Sequence, residues 1–116
     1  MHKFRELIIW QKSRELVSNV YHITLKFPKE EMYSLTSQIR RCAISIPSNI
    51  AEGSGRKTID DFSRFLDIAN GSAFELETQL ILASDLNYLN SDELDSIIKD
   101  VHEIEKMIYS FKKKLN

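Results

Sequence analysis

Cysteine, proline and glycine are all scarce in this chain. A single cysteine, Cys42, excludes an internal disulfide and hence a disulfide-stapled scaffold. Two prolines and three glycines are too few for the many turns of a β-rich fold. With 42% hydrophobic and 28% charged residues, the composition is also wrong for disorder. No apolar run approaches the roughly 20 residues of a membrane span. The opening MHKFRELIIWQKSREL has charge on both sides of its short apolar patch, unlike a signal peptide. These absences predict a cytoplasmic protein with no membrane partner. The 116 residues suffice for one domain, 1–116, with a real core.

Charge is present but polarised. The net charge is −1, yet residues 1–57 carry ten basic and five acidic side chains, whereas residues 58–111 carry three basic and twelve acidic. Lys112, Lys113 and Lys114 then close the chain. Such a chain can present a basic face without being basic overall.

Apolar spacing predicts four helices. From Asn90 to Asn116, Leu94, Ile97, Val101, Ile104, Ile108, Phe111 and Leu115 alternate by three and four, one stripe of a helix. Asn90 and Glu93 form a capping-box pattern, and the closing lysines suit a helix C-terminus. A third helix begins after Thr58, a good N-cap followed by Asp60 and Asp61. Its stripe is Phe62, Leu66, Ala69, Ala73, Leu76, Leu80 and Ala83, and it ends near DLNYLNSD, a turn-favouring stretch. Gly71 in its middle suggests close approach of another helix. The second helix runs from about Glu30 or Met32 to Glu52, with Leu35, Ile39, Cys42, Ile46 and Ile50 inward. Pro47 inside it should kink it near Ala43. The first helix runs from about Leu7 to Lys26, with Ile9, Ser13, Leu16, Val20, Ile23 and Phe27 inward, and Pro28 marks its end. Short connections join the four, so the expected fold is all-α, an antiparallel up-down-up-down four-helix bundle.

Trp10, Val17 and Tyr21 lie on a second apolar stripe of the first helix. That arc is wider than one bundle core needs, which makes these three residues candidates for an oligomer interface.

NIAEGSGRKT, residues 49–58, tests for nucleotide chemistry. A phosphate-gripping loop needs G-x-x-x-x-G-K-[ST] between a strand and a helix. Here Gly53 and Gly55 are two apart, Arg56 replaces the lysine, and the preceding segment is helical. The stretch instead reads as a turn, with Gly53 or Gly55 in the left-handed conformation that stops the second helix. Arg56 and Lys57 then flank the N-terminus of the third helix, where anions are favoured. They hold a phosphate there, or Asp60 and Asp61 absorb their charge; the second reading is the commoner fate of surface charge.

No catalytic or metal constellation emerges. Di-iron bundles need Glu-x-x-His motifs, and none of His2, His22 and His102 follows a Glu by three. Glu105 lies three after His102, the reverse order and off the core stripe. No metal or cofactor is therefore expected. Cys42, on the inward stripe, reads as an inert buried thiol. No nucleophile elbow is present. Arg41, Ser45, Ser48 and Glu52 make a polar stripe, with Gln38 beside it, that suits a subunit contact through Arg–carboxylate pairs. The chain is read as not an enzyme.

The segments FRELIIWQKSRELV, FPKEEMYSLTSQIRRCAISIPSNIAEGSGR, FSRFLDIANGSAFELETQL and ASDLNYL, spread over residues 4–89, resemble the four-helix-bundle proteins of the 23S rRNA intervening-sequence family. Gln38, Arg40, Arg41, Asn49, Glu52 and Arg56 match the family's polar positions. The resemblance implies a bundle that assembles with itself into a ring, typically a homopentamer, and is often labelled a ribosomal protein. It also implies a relation to the accessory variability proteins of retroelements, which bind nucleic acid and a partner protein. On this footing the expected function is a non-enzymatic, ring-forming adaptor that holds RNA or DNA weakly. Its candidate contacts are Arg40, Arg41, Arg56, Lys57, Lys112, Lys113 and Lys114. The alternative is a protein-interaction scaffold with no nucleic-acid role, using the acidic face of the third and fourth helices.

Overall fold

The computed structural model describes residues 2–115, so the fourth helix's expected last residue, Asn116, lies outside them. Four helices make an antiparallel up-down-up-down bundle: α1 (Ile8–Thr24), α2 (Leu35–Ser54), α3 (Ile59–Asp85) and α4 (Ser91–Leu115). Two short 3-10 turns, Phe4–Glu6 and Lys29–Glu31, precede α1 and α2. Among the described residues there is no strand. The bundle is 43 Å long, close to the length of a 27-residue helix such as α3, at 1.5 Å per residue. Among the described residues no helix is long and apolar enough to cross a membrane.

The inward stripes close on one core. Leu16, Val20, Ile39, Ile46, Ile50, Leu66, Leu76, Leu80, Val101 and Ile108 are all buried there. Leu35, Ile23, Leu94, Phe111 and Leu115 are half-buried at its margins. Two polar members of the core satisfy themselves locally. Ser13 donates to the Trp10 carbonyl at 3.0 Å, and Thr24 to the Val20 carbonyl at 2.9 Å.

Caps set the helix ends. Asp61 N–H donates to Thr58 Oγ1 at 3.1 Å, starting α3. Asn90 and Glu93 exchange reciprocal bonds: Glu93 N–H to Asn90 Oδ1 at 2.8 Å, and Asn90 N–H to Glu93 Oε1 at 3.0 Å. α3 ends in a Schellman motif, with Asn87 left-handed (φ 65°) and Tyr88 N–H bonded to the Ala83 carbonyl at 2.9 Å. Glu31 joins the two loops at this end of the bundle. Its carboxylate accepts from Ser34 Oγ (2.6 Å) and from the Tyr88 hydroxyl (2.9 Å). The Ser34 bond, then the Tyr88 bond, hold the Glu31 carboxyl below its usual range.

Four expectations are corrected. α2 starts at Leu35, later than Glu30 or Met32, because Ser34 Oγ accepts from Leu35 N–H and the preceding turn is 3-10. α2 runs on to Ser54, two residues past its expected end at Glu52. Neither Gly53 nor Gly55 is left-handed; Gly55 has φ −89°, and the chain turns on Gly55 N–H to Glu52 O and Arg56 N–H to Gly53 O bonds. Gly53 is required for a different reason, since a Cβ there would sit 2.7 Å from Phe65 Cβ and 2.9 Å from Phe62 Cδ1. The close approach is thus at Gly53, where α2 meets the first turns of α3. Gly71 faces outward with nothing within 4 Å of where a Cβ would be.

Candidate nucleic-acid interface

The topology gathers basic residues that are far apart in sequence. In an up-down-up-down bundle the start of α1, the end of α2, the start of α3 and the end of α4 share one end. Direct contacts tie them together. His2 N–H donates to the Ser54 carbonyl at 3.1 Å, the His2 ring lies 5.1 Å from Phe62, and Phe62 lies 5.6 Å from Phe111. Lys3, Arg5, Arg56, Lys57, Arg64, Lys112, Lys113 and Lys114 all belong to this end, facing only Glu6, Glu52, Asp60, Asp61 and Asp67. The opposite end carries Glu30, Glu31, Asp85, Asp92, Glu93 and Asp95 against Lys26, Lys29, Arg40 and Arg41. The bundle is therefore polarised along its long axis, and the positive end is the one an anion would approach.

The cations at that end are not equivalent. Arg56 pairs with Glu52 at 3.2 Å and with Asp61 at 3.6 Å, while its guanidinium lies 4.6 Å from the Phe65 ring centre. Arg64, which the sequence reading did not single out, pairs with Asp61 at 2.9 Å and also stacks on Phe65, at 4.5 Å. Lys112 pairs with Asp67 across α3 and α4, and Lys113 lies over Tyr109 at 5.6 Å. Lys3, Arg5, Lys57 and Lys114 are exposed and pair with no carboxylate among the described residues. Asp61 thus absorbs the charge of Arg56, as one reading of this turn expected, whereas Lys57 is left to solvent.

Arg40 and Arg41 lie elsewhere, in the first third of α2 toward the acidic end. Arg40 is half-buried against α1, with Nε donating to Thr24 Oγ1 at 3.0 Å and the guanidinium 4.6 Å from the Tyr21 ring centre. Arg41 points to solvent. The polar stripe that includes Arg41 divides in the same way. Ser45 turns inward to bond Ser72 of α3 at 2.8 Å and to accept from Asn49 Nδ2 at 3.0 Å, while Ser48 and Glu52 stay exposed.

Trp10 and Val17 are half-buried and Tyr21 is 38% exposed. Trp10 and Val17 line an open apolar trough between α1 and α2, completed by Ile44, Pro47 and Ala51. Arg14 covers its Trp10 end, 5.4 Å from the indole.

Two clusters on the sides of the bundle complete the inventory of reactive groups. Cys42 is buried between α2 and α3, and its thiol donates to Glu75 Oε1 at 3.0 Å. Burial, then the Glu75 carboxylate, pushes the thiol up to about 12. Iodoacetamide should accordingly leave Cys42 of the folded protein unmodified at pH 8.5, where a free thiol is about half ionised, and label it once urea unfolds the chain. Fast labelling of the folded protein, followed by mass spectrometry, would refute this. Between α3 and α4, Glu77, His102 and Glu105 converge. Burial, then the facing Glu77, pushes the Glu105 carboxyl up to about 7. The sequence pattern contained His102 and Glu105 at the right spacing to share a helix face, but not Glu77, which comes from another helix.

Fold and charge distribution together define a class: an antiparallel four-helix-bundle protein with one basic end and an apolar trough on its side. Within that class the chain belongs to the 23S rRNA-intervening sequence protein family, whose model matches residues 5–110. The chain is also similar to a crystal structure of a protein of unknown function from the S23 ribosomal protein family of Bacteroides thetaiotaomicron, with a TM-score of 0.84 and 28% identity over 91% of this chain and 96% of that one. No curated protein matches it.

Proposed function

We propose that this protein is a non-enzymatic, ring-forming adaptor, pentameric in its assembled state, that holds RNA or DNA weakly through the basic end of each bundle. The observation that carries the reading is the convergence at one end of three cationic segments, around Lys3 and Arg5, around Arg56, Lys57 and Arg64, and at Lys112–Lys114. Lys57 and Lys114 are the primary phosphate contacts, being exposed and without an internal carboxylate. Arg56, Arg64 and Lys112 are held by acidic partners and contribute less. Arg40 serves the α1–α2 packing, and Arg41 is too distant along α2 to join them. Assembly uses the trough of Trp10, Val17 and Ile44, together with Tyr21 one turn further along α1. Copies of the basic end in one ring then add their phosphate contacts.

Binding of this kind is nearly sequence-blind, since phosphates carry no base information. For about four phosphate contacts, affinity should fall roughly a hundredfold between 50 and 200 mM salt. The test is light-scattering mass on a sizing column with absorbance at 260 and 280 nm, with and without a short structured RNA. A ring mass that carries RNA at low salt and sheds it at high salt supports the proposal. The double variant Lys57→Glu, Lys114→Glu should keep the ring mass and lose the RNA. A ring that takes up no RNA at any salt would replace this reading with the protein scaffold, and a monomer would remove the ring.

A further inference from the structure

We infer that Glu77, His102 and Glu105 form a binding site for one divalent transition-metal ion of the zinc type, set in the seam between α3 and α4. The site is distinct from both the basic end and the α1–α2 trough. Its three side chains each offer one ligand atom, and these atoms all lie within 4.8 Å of one another. Ligands held at about 2.0–2.2 Å from a common ion are separated by no more than about 4.4 Å. Small side-chain rotations are therefore enough to close the three around an ion.

The placement follows from the helices. His102 and Glu105 are three residues apart on α4, so they project from one face. Glu77 reaches across from α3, and its Oε2 is 3.1 Å from His102 Nε2. The independent sign that a cation belongs here is Glu105 Oε2. It is shut off from solvent and has no hydrogen-bond donor among the described residues. A carboxylate oxygen in that situation costs free energy until a donor or cation meets it. In the metal-free protein the group that meets it is the facing Glu77 carboxylate, through a proton held between the two, while His102 is bonded to Glu77; a cation would take that proton's place. An ion between the three would satisfy Glu105 Oε2 and neutralise the two facing carboxylates.

The donor set selects the ion's class. One imidazole with two carboxylates suits zinc, iron or manganese, whereas magnesium and calcium prefer all-oxygen sites with more ligands. His102 is exposed over about half its side chain. The outer face of the site is therefore open, and water can fill the remaining coordination positions. Three protein ligands with an open side leave a coordination position to water, in contrast to a closed four-ligand structural site.

The experiment is calorimetric titration of the full chain, stripped of metal by chelator, with Zn2+ at pH 7.5, alongside thermal unfolding. One Zn2+ per chain is expected, with a micromolar dissociation constant and a rise in unfolding temperature, because an ion that binds only the folded state stabilises it. His102→Ala and, separately, Glu77→Gln should each weaken binding at least tenfold and abolish the thermal shift. His22→Ala should change neither, which separates this site from adventitious binding at other imidazoles. Millimolar Mg2+ should not compete. Absence of saturable Zn2+ binding up to 1 mM, or binding that His102→Ala leaves intact, would overturn the assignment and leave a proton shared by the two carboxylates. Competition by Mg2+ would overturn the metal class. His102 is exposed, so circular dichroism should show its variant folded; if it is not, Glu77→Gln carries the test.

Discussion

Replacing Gly53 with valine is expected to lower the unfolding midpoint by roughly 5–15 °C, corresponding to an overpacking cost of about 1–3 kcal/mol in a domain of this size. The cause is local. Gly53 is buried in the last turn of α2, and a Cβ there would meet Phe65 Cβ at 2.7 Å. That atom is anchored to the α3 backbone and cannot rotate away. The Phe62 ring, 2.9 Å from the same point, is itself packed between His2 and Phe111. Either α2 and α3 separate at this corner or the aromatic cluster repacks. Both would disturb the end where Arg56 and Lys57 are displayed, so RNA uptake should fall together with stability. Gly71→Ala is the matched control. Gly71 is helical and open to solvent, so alanine should stabilise by up to about 1 kcal/mol through helix propensity alone. Thermal denaturation of both variants decides the matter, and a Gly53→Val protein that melts with the wild type would show that the helices do not meet as described.

Leu76→Ala should cost about 2–5 kcal/mol, a large share of the roughly 5–15 kcal/mol that holds a domain folded. Leu76 is fully buried at the middle of α3, and its stripe neighbours Ala73, Ala69 and Ala83 are too small to fill the cavity left behind. Leu82, on the same helix, is 48% exposed, and Leu82→Ala should stay within about 0.5 kcal/mol of the parent. The two leucines lie six residues apart on one helix and face opposite environments, so urea denaturation of the pair measures the burial of the stripe. Equal effects would mean that the Leu82 face is covered too, by another copy of the chain or another protein.

The periodicity of the chain was sufficient for these stripes. Every buried position on α3 except Phe65 could be named from the three-and-four spacing, because side-chain direction on a helix follows from residue number alone; Phe65 lies beside that stripe and is buried by the end of α2. Thr58, Asn90 and Glu93 were legible as caps for a similar reason, since a cap bonds to backbone within three residues. The same locality explains the failures. Gly53 read as a helix stop because its effect on Phe62 and Phe65 belongs to a different helix, and only packing reveals that the missing Cβ matters more than φ. Gly71 suffered the converse error: a small residue suggested a close neighbour, but its face of α3 points outward.

The functional surfaces divide along the same line. By itself the sequence determined the four amphipathic helices, their order, their antiparallel packing and the inventory of charges, because all of these depend on short-range spacing and on loops too short for any other connection. The tertiary structure alone decided which charges share a neighbourhood. It separated Arg40 and Arg41 from Arg56 and Lys57, added Lys3, Arg5 and Arg64 to the basic end, and placed Glu77 against His102 and Glu105. Electrostatic and ligating interactions act over a few ångströms in space and are indifferent to distance along the chain. They therefore exist only once the helices are laid side by side.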